Sequence, residues 1–329
     1  YKKLRNETRV MLNEFRSYGK TKIQFEFIDI TKGKDRRATF QITEELRSKG
    51  IQPIVDTDQT GTEVSQRIVI PGAIAMYRER EMPIQFLVNV MGGANNKEMM
   101  INHSIQALEF KLADAIRKLT VSFKPGIAIL DGYGGLSRVE TSEAERILSE
   151  YYRIERKKID GQLNALSGFQ AILLIKPDSA INDKDKFIID QFIMKGGKAM
   201  FLIDPVYADM DSLRESDQAL SYPKRLNLED MFFKWGFRLN TDLLMDISAV
   251  PIPIITGMVG NKPEYKYYNW PYFPMIISKN NHPIVKNIDP IKLEFVSSID
   301  DVSGAYLKKT PLLTTSRFTR RISTPANIR

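Results

Sequence analysis

The sequence contains no cysteine and only two histidines. A disulfide framework, a thiolate nucleophile and a cysteine-based metal site are therefore excluded, and the lack of thiols fits an oxidising compartment. His103 lies in a predicted helix without a second histidine, so we interpret it as a surface residue. Long apolar runs are missing too. Runs such as 171–175 are far shorter than the roughly 20 residues that cross a bilayer.

The chain also lacks blocks of one charge, although its net charge is +8 and its isoelectric point is near 9.3. The basic clusters at 34–37, 78–81 and 153–158 are short and contain acidic residues. Neither zinc-finger spacing nor the aromatic pattern of an RNA-binding sheet is present, so we predict no nucleic-acid partner. The first residues are typical of a helix interior and no signal peptide precedes them. We therefore expect a piece of a longer protein.

Residues 1–95 alternate between helical and strand-like patterns. Helical spacing over 1–18 is followed by alternation over 22–30, which predicts a half-buried strand, and by a second helical pattern over 37–49. Two further strand-like segments flank the connection at 78–83 and predict a hairpin, with Pro71 at an edge or bulge. This order is similar to a thioredoxin-like α/β domain without its Cys-x-x-Cys pair. The shape is expected here, but redox chemistry is not.

Residues 96–122 have the pattern of one long helix. Its apolar residues recur at three- and four-residue spacing, at Ile101, Ile105, Leu108, Leu112, Ile116 and Leu119, which predicts a single apolar stripe. We interpret this helix as a bridge between two domains.

The second domain, predicted over 123–329, begins with strands alternating with helices. The apolar runs 125–130, 169–177 and 198–205 are typical of strands buried on both faces, and helical patterns over 140–154 and 182–197 separate them. Such an order predicts a doubly wound, mostly parallel sheet. After about residue 206 the pattern becomes a proline-rich extension of short strands.

A glycine-rich stretch, AILDGYGGLS over 128–137, joins the first of these strands to a helix. Gly132, Gly134 and Gly135 would let backbone N–H groups approach an anion at a helix start. However, the spacing matches neither the dinucleotide nor the P-loop motif, and acidic residues open the helix. We therefore favour a structural turn, or a site for a partner's side chain, over a phosphate site.

Acidic side chains follow the predicted strands, where open α/β sheets bind ligands. The ligand-binding candidates are Asp131, Gly132, Tyr133, Gly134, Gly135, Asp178 and Asp204. They do not form a complete catalytic set, because no histidine or cysteine lies nearby to complete a nucleophile–base pair. We predict no metal and no cofactor. Aromatic rings over 265–274 are typical of interface centres, and Tyr267 and Trp270 are the candidates for a partner surface.

Several segments together resemble one family along nearly the whole chain. They are LRNETRVMLNEFRSYGKTKIQFEFID, IVIPGAIAMYRERE, IAILDGYGGLS, ILLIKPDSAINDKDKFIIDQFIMKGGKAMFLIDP, LNTDLLMD, HPIV and KKTPLLTTS, in that order. The chain is similar to the gliding-motility-associated ABC-transporter auxiliary proteins of the GldG type, which are found in Bacteroidota. The order of the segments is more specific than any one of them.

This resemblance implies an inner-membrane protein with a large periplasmic region, held in the membrane by segments outside this sequence. The implied partners are an ABC permease and ATPase, and a second copy of the chain is a further candidate. The implied second-domain fold is flavodoxin-like and glutamine-amidotransferase-like. Relatives often carry Gly-His-Gly-Glu where this chain has Gly132, Tyr133, Gly134 and Gly135, so a site that needed the histidine and glutamate is in doubt here.

Three functions stay open from the sequence. The first is a non-enzymatic interaction module of a membrane ABC-transporter complex. The second is a module that binds a sugar, peptide or anion at the C-terminal edge of the second sheet. The third is a hydrolase that uses the strand-end carboxylates, with Mg²⁺ or Ca²⁺.

Overall fold

The computed structural model divides the chain into two compact units, Tyr1–Lys124 and Pro125–Arg329. The residues it describes are 1–30, 35–60, 63–88, 97–215, 218–260, 262–278, 280–286, 288–302 and 307–328. Within these ranges, none of the helices combines the length and the apolar character needed to cross a membrane.

The first unit consists of helices and two antiparallel strand pairs. Its elements are α1 (Lys2–Gly19), α2 (Arg36–Ser48), β1 (Ile54–Thr60), β2 (Glu63–Val69), β3 (Gly72–Tyr77), β4 (Arg80–Gln85), α3 (Lys97–Gln106) and α4 (Leu108–Thr120). Strand β1 pairs with β2, and β3 with β4. Both predicted helices and the predicted hairpin are therefore present. Pro71 lies between β2 and β3 and separates what the sequence suggested was one strand.

The prediction of a strand over 22–30 is wrong, because this segment does not form a strand in the structure. Its alternating aromatic rings lie instead against arginines of α1. The guanidinium of Arg16 is 5.2 Å from the ring centre of Phe25, and that of Arg9 is 4.9 Å from the ring centre of Phe27. Cation–π contacts thus take the place of a sheet neighbour. The thioredoxin-like assignment, which relies on this strand, stays a prediction.

The predicted long helix is two helices, α3 and α4, with a break at Ala107. Their apolar residues join β4 and α1 in the core of the first unit, formed by Leu4, Ile84, Phe86, Leu87, Ile101, Leu108, Leu112 and Ala115. Most of the predicted apolar stripe is therefore covered within the first unit, but Ile116 is exposed. A role as a bridge stays a prediction.

The second unit opens with alternating strands and helices. These elements are β5 (Gly126–Leu130), α5 (Arg138–Ser149), β6 (Arg153–Lys157), β7 (Ala171–Ile175), α6 (Asp183–Met194) and β8 (Lys198–Leu202). The four strands form one parallel sheet in the order β6-β5-β7-β8. The α/β class and the parallel sheet are therefore confirmed. Strand β6 was missed, because the sequence suggested that the helix continued to residue 154.

The rest of the unit consists mostly of short antiparallel strands. The elements are β9 (Val206–Tyr207), α7 (Met210–Glu215), β10 (Ala219–Pro223), α8 (Glu229–Lys234), β11 (Phe237–Leu239), β12 (Asp242–Asp246), β13 (Ala249–Val259), β14 (Lys262–Ile276), β15 (Ile291–Lys292), β16 (Ile299–Asp301), β17 (Thr319–Ser323) and β18 (Ala326–Ile328). Strands β13 and β14 form a hairpin much longer than the short strands predicted there.

Two cores hold the second unit together. The first lies between α6 and one face of the parallel sheet, where Ile172, Leu174 and Ile189 are almost fully buried. Helix α8 adds Met231 and Phe232 to this core. A second core lies among the antiparallel strands and includes Val206, Leu243, Tyr272, Phe273, Phe295 and Ile328.

Candidate functional site

The order of the parallel strands places the candidate site at a topological switch point. From β5 the chain crosses to β6 on one side, whereas from β7 it crosses to β8 on the other. In open α/β sheets, ligands bind in the crevice beyond the carboxyl ends of the two strands at such a point. Here those ends carry the glycine loop, residues 131–137, and the segment 176–179.

The glycine loop lies directly over the end of β7. The carbonyl oxygen of Tyr133 accepts hydrogen bonds from the amides of Asp178 and Ser179, at 2.8 and 2.9 Å. A Cβ added to Gly135 would come 2.4 Å from the carbonyl oxygen of Ile175, which no side chain could tolerate without a backbone shift. The structure thus places the loop and the segment that contains Asp178 in direct contact with each other.

Backbone conformation explains two of the loop glycines. Gly132 has φ of 97° and Gly134 has φ of 69°, in the left-handed region that glycine adopts at no steric cost. A side chain at either position would strain the backbone. The glycines are therefore required by the turn itself, whether or not a ligand binds.

The side chain of Tyr133 points into the protein and fills the space beneath the loop. It is only 6% exposed and belongs to the core of the parallel sheet. Its hydroxyl donates a hydrogen bond of 2.8 Å to Asp185 in α6. Burial, and next the hydrogen bond to Asp185, raise the pKa of Tyr133 well above its usual value, so the phenol is protonated at neutral pH.

Asp185 is a buried acid that the sequence analysis missed. It is 2% exposed, and its carboxylate accepts hydrogen bonds of 2.8 Å from the Tyr133 hydroxyl, the Gly161 amide and the Asn182 side-chain amide. These donors come from the loops after β5 and β6 and from the start of α6. Asp185 therefore joins three loops at the carboxyl edge of the sheet. The spacing Asn182-x-x-Asp185, typical of a helix start, was the available signal.

The start of helix α5, where a phosphate would bind, is closed by its own side chains. Ser137 caps the helix by accepting from the amide of Glu140, and the Glu140 carboxylate accepts from the Ser137 amide and hydroxyl. This is a capping box. The Ser137 hydrogen bonds lower the pKa of Glu140. A bound anion would meet this carboxylate, which disfavours the phosphate interpretation. Ser137 is thus the N-cap residue of α5.

Each of the three predicted carboxylates forms an ion pair within the second unit. The pairs and their N–O distances are Asp131 with Arg156 (3.7 Å), Asp178 with Lys224 (3.1 Å) and Asp204 with Lys176 (2.9 Å). Among the described residues of the chain, no group of three or more histidine, aspartate or glutamate side chains could hold a metal ion. The carboxylates therefore lie at one edge of the sheet, each beside a cation of the protein.

Arg156 is a second polar residue of this edge that the sequence analysis missed. Its guanidinium donates to Glu145 of α5 at 3.0 Å, to the Thr141 hydroxyl at 2.6 Å and to the carbonyl of Leu136 at 3.2 Å. The contact with Asp131 is the longest that it makes. Arg156 therefore ties the edge strand β6 to α5 and to the glycine loop. Its position in a charged run, 153–158, gave no sign of this role.

The predicted partner residues Tyr267 and Trp270 lie in the same strand but in different surroundings. Tyr267 is 70% exposed. Trp270 packs instead against the second core and contacts Tyr272, with ring centres 5.7 Å apart. The buried Trp270 Nε1 has no hydrogen-bond partner among the described residues. The structure thus presents Tyr267 at the surface and places Trp270 mostly in the interior.

Comparisons with known proteins match residues in both units to family models. Residues 1–76 match a domain of unknown function, DUF7088, and no curated protein matches significantly. Among solved structures, the mmIFT52 N-terminal domain is similar at 11% identity and a TM-score of 0.41, over 61% of this chain and 77% of that one. That score is too low to support a shared fold. Residues 124–329 match the model described as an ABC-type uncharacterized transport system, and the chain therefore belongs to this family of ABC-transporter auxiliary proteins.

Proposed function

We propose that the chain is a non-enzymatic accessory module of an ABC transport system and acts by protein–protein contact. We place it on the periplasmic face of the inner membrane, in the gliding-motility-associated GldG group of Bacteroidota. Its partners are the permease and ATPase of the same complex. The family match supports the association with a transport system. The gliding role, the location and the partners come from the sequence resemblance.

The main support for a non-enzymatic role is that the protein's own side chains fill the space beneath the glycine loop and the start of α5. Tyr133 fills the space under the loop, and Ser137 and Glu140 bond each other at the helix start. A general base must reach the proton that it removes, and a phosphate site must offer free N–H groups. Here the capping box occupies the helix start, and each predicted carboxylate is paired with a cation of the protein. We infer that this edge joins the loops of the sheet and performs no chemistry.

The test of the accessory role is purification of the full-length protein from its membrane in mild detergent. We expect the permease and the ATPase to copurify in stoichiometric amounts, as identified by mass spectrometry. The control is an unrelated inner-membrane protein with the same tag. Recovery of the tagged protein alone, under conditions in which the permease and ATPase stay associated with each other, would contradict the proposal.

Ligand binding is the second candidate, because the structure brings Asp131 and Asp178 to the same edge around the glycine loop. A triple variant with Asp131→Asn, Asp178→Asn and Asp204→Asn separates the two functions. Under the accessory role, we expect it to copurify with the complex and to support transport as the wild type does. A correctly folded triple variant that loses transport but keeps its partners would favour ligand binding. A melting temperature raised by Mg²⁺ or Ca²⁺ would favour the hydrolase.

A further inference from the structure

The hairpin formed by β13 and β14 projects from the second unit as a two-stranded ribbon. Its projecting part consists of residues 252–260 and 262–268, called the ribbon below. Every residue over 262–268 is exposed, as are residues 253–256 and 258. At about 3.3 Å per residue, the exposed part of β13 extends roughly 20 Å. Two strands without further cover are marginally stable in water, so a surface that covers the ribbon would stabilise it.

Apolar side chains occupy both faces of the ribbon. The cross-strand pairs Pro253–Tyr267 and Ile255–Tyr265 share one face, because directly opposite residues point to the same side. The neighbouring pairs Ile252–Tyr268 and Ile254–Lys266 lie on the other face, where Ile254 and Tyr268 are exposed and Ile252 packs against the second core. The large apolar and aromatic residues that are most exposed are Ile255 (60%), Met258 (64%), Tyr265 (50%) and Tyr267 (70%).

Apolar side chains on both faces favour a partner that surrounds the ribbon over one that contacts a single face. A flat protein partner would bury one face of the ribbon and leave the other in water. Immersion of the ribbon in the interfacial layer of a bilayer would surround both faces and the Met258 end at once. Tyrosine rings suit that layer, because an apolar ring and a polar hydroxyl are both satisfied at headgroup depth.

The charges of the ribbon and the prolines of β13 also favour a membrane surface. Lys262 and Lys266 flank Glu264, so the ribbon carries a net charge of one positive unit in a chain whose net charge is +8. Anionic headgroups attract lysines held near the surface. Pro251 and Pro253 lack N–H groups, which disfavours a further strand along β13. Pairing of that edge with another protein is thereby discouraged.

We propose that the ribbon binds the anionic phospholipid surface of a membrane, with its apolar side chains at headgroup depth. The proposal rests on the proposed function, because an accessory module of a membrane complex works beside a bilayer. The ribbon lies on the surface and does not span the membrane, since its residues alternate with lysine and glutamate. Peripheral binding of this kind combines buried apolar area with electrostatic attraction.

Vesicle sedimentation of the 329-residue chain tests the proposal. The probes are vesicles of phosphatidylglycerol and phosphatidylcholine in a 1:3 ratio, and vesicles of phosphatidylcholine alone. We expect binding to the anionic vesicles that weakens with salt. The pair Lys262→Gln with Lys266→Gln lowers the affinity about 30-fold, because each lysine contributes about fivefold near an anionic surface. The pair Ile255→Ser with Met258→Ser lowers it about tenfold or more.

Matched control variants lie on and beside helix α6. Phe187 and Met194 are 54% and 73% exposed, so Phe187→Ser with Met194→Ser removes similar exposed apolar groups. Lys195→Gln with Lys198→Gln removes two exposed lysines. We expect both controls to bind anionic vesicles as the wild type does. The ribbon variants should keep the wild-type melting temperature, because the substituted side chains are exposed.

Three results would overturn the proposal. They are no binding to anionic vesicles, equal loss in the ribbon and control variants, and a wild-type dimer in solution that the ribbon variants convert to a monomer. The third result would assign the ribbon to a second copy of the chain. Because vesicle binding uses the isolated chain, its failure leaves copurification with the permease and ATPase unaffected. The two proposals can thus fail separately.

Discussion

Substitution of Tyr133 by phenylalanine tests whether the loop is a structural joint. The change removes one hydroxyl and leaves the ring in the core. Asp185 then loses its 2.8 Å hydrogen bond from Tyr133 and keeps those from Gly161 and Asn182. Because the acceptor is a buried carboxylate, we expect the free energy of unfolding to fall by about 2 kcal/mol. For a unit of this size, the melting temperature should fall by roughly 4–8 °C.

Tryptophan fluorescence during urea unfolding is the appropriate assay. The chain has two tryptophans, Trp235 and Trp270, and both lie in the second unit. The signal therefore reports the unit that contains Tyr133, even if the two units unfold separately. Tyr267→Phe is the matched control, because it removes the same hydroxyl from a ring that is 70% exposed. We expect its unfolding free energy to stay within about 0.5 kcal/mol of the wild type.

The same variant has a distinct dependence on pH. The pKa of Tyr133 is raised in the folded protein, chiefly by burial and then by the hydrogen bond to Asp185. Because the pKa of Tyr133 is higher in the folded than in the unfolded protein, the phenol contributes stability that is fully present below its unfolded pKa, near 10. This contribution is lost as the pH rises above that value. The stability difference between wild type and Tyr133→Phe should thus shrink by about 1.4 kcal/mol per pH unit above about pH 10. Equal stability at pH 7, or a difference that stays constant to pH 11, would refute the reasoning.

Three further substitutions probe other contacts of the second unit. Gly135→Ala should lower the unfolding free energy by about 3 kcal/mol in urea, because the new Cβ meets the Ile175 carbonyl; wild-type stability would contradict the close approach. Asp131→Asn should change it by less than about 0.5 kcal/mol, since the ion pair with Arg156 is long and the carboxylate half-exposed; a large loss would make Asp131 a structural cap. Asp246→Asn should cost about 3 kcal/mol at pH 7, because burial, which raises the pKa of Asp246, is outweighed by hydrogen bonds from serine and threonine that lower it. The contribution of the ionised Asp246 carboxylate to stability is present above about pH 4 and lost below it. The difference in unfolding free energy between wild type and Asp246→Asn should therefore be smaller at pH 3 than at pH 7, and an unchanged difference would contradict this.

The sequence located three strands by their apolar runs, but burial on both faces was wrong for β8, an edge strand in which Met200 and Leu202 are exposed. Strands β5, β7 and β8 coincide with the apolar runs in 125–130, 169–177 and 198–205. Strand β6 lies at the edge of the sheet and consists of the residues RIERK. Its charged side chains form polar contacts instead, such as that of Arg156 with Glu145 of α5 and that of Arg153 with Glu155. Such a strand has no apolar run, so the pattern suggested a longer helix.

The contacts of the candidate site were beyond the reach of local patterns. The glycine-rich stretch located the turn, in which Gly132 and Gly134 have positive φ. The partner of Tyr133 is 52 residues away, in α6. No local rule connects an aromatic residue in one loop with an acid in a later helix. The strand prediction for 22–30 failed for a related reason. Its alternating apolar and polar residues are as compatible with contacts to a helix as with a strand.

The switch point and the ribbon differ in whether their groups already have partners within the chain, and this difference indicates where partners bind. At the glycine loop, the helix start, the carboxylates and the Tyr133 hydroxyl all have partners within the chain. A ligand there would have to displace contacts that already exist. On the ribbon, large apolar side chains such as Met258 and Tyr267 remain in water. Covering them releases hydrophobic free energy without breaking an internal contact. Binding at the ribbon is therefore favoured over binding at the switch point, although the switch point is where this fold usually holds its ligand.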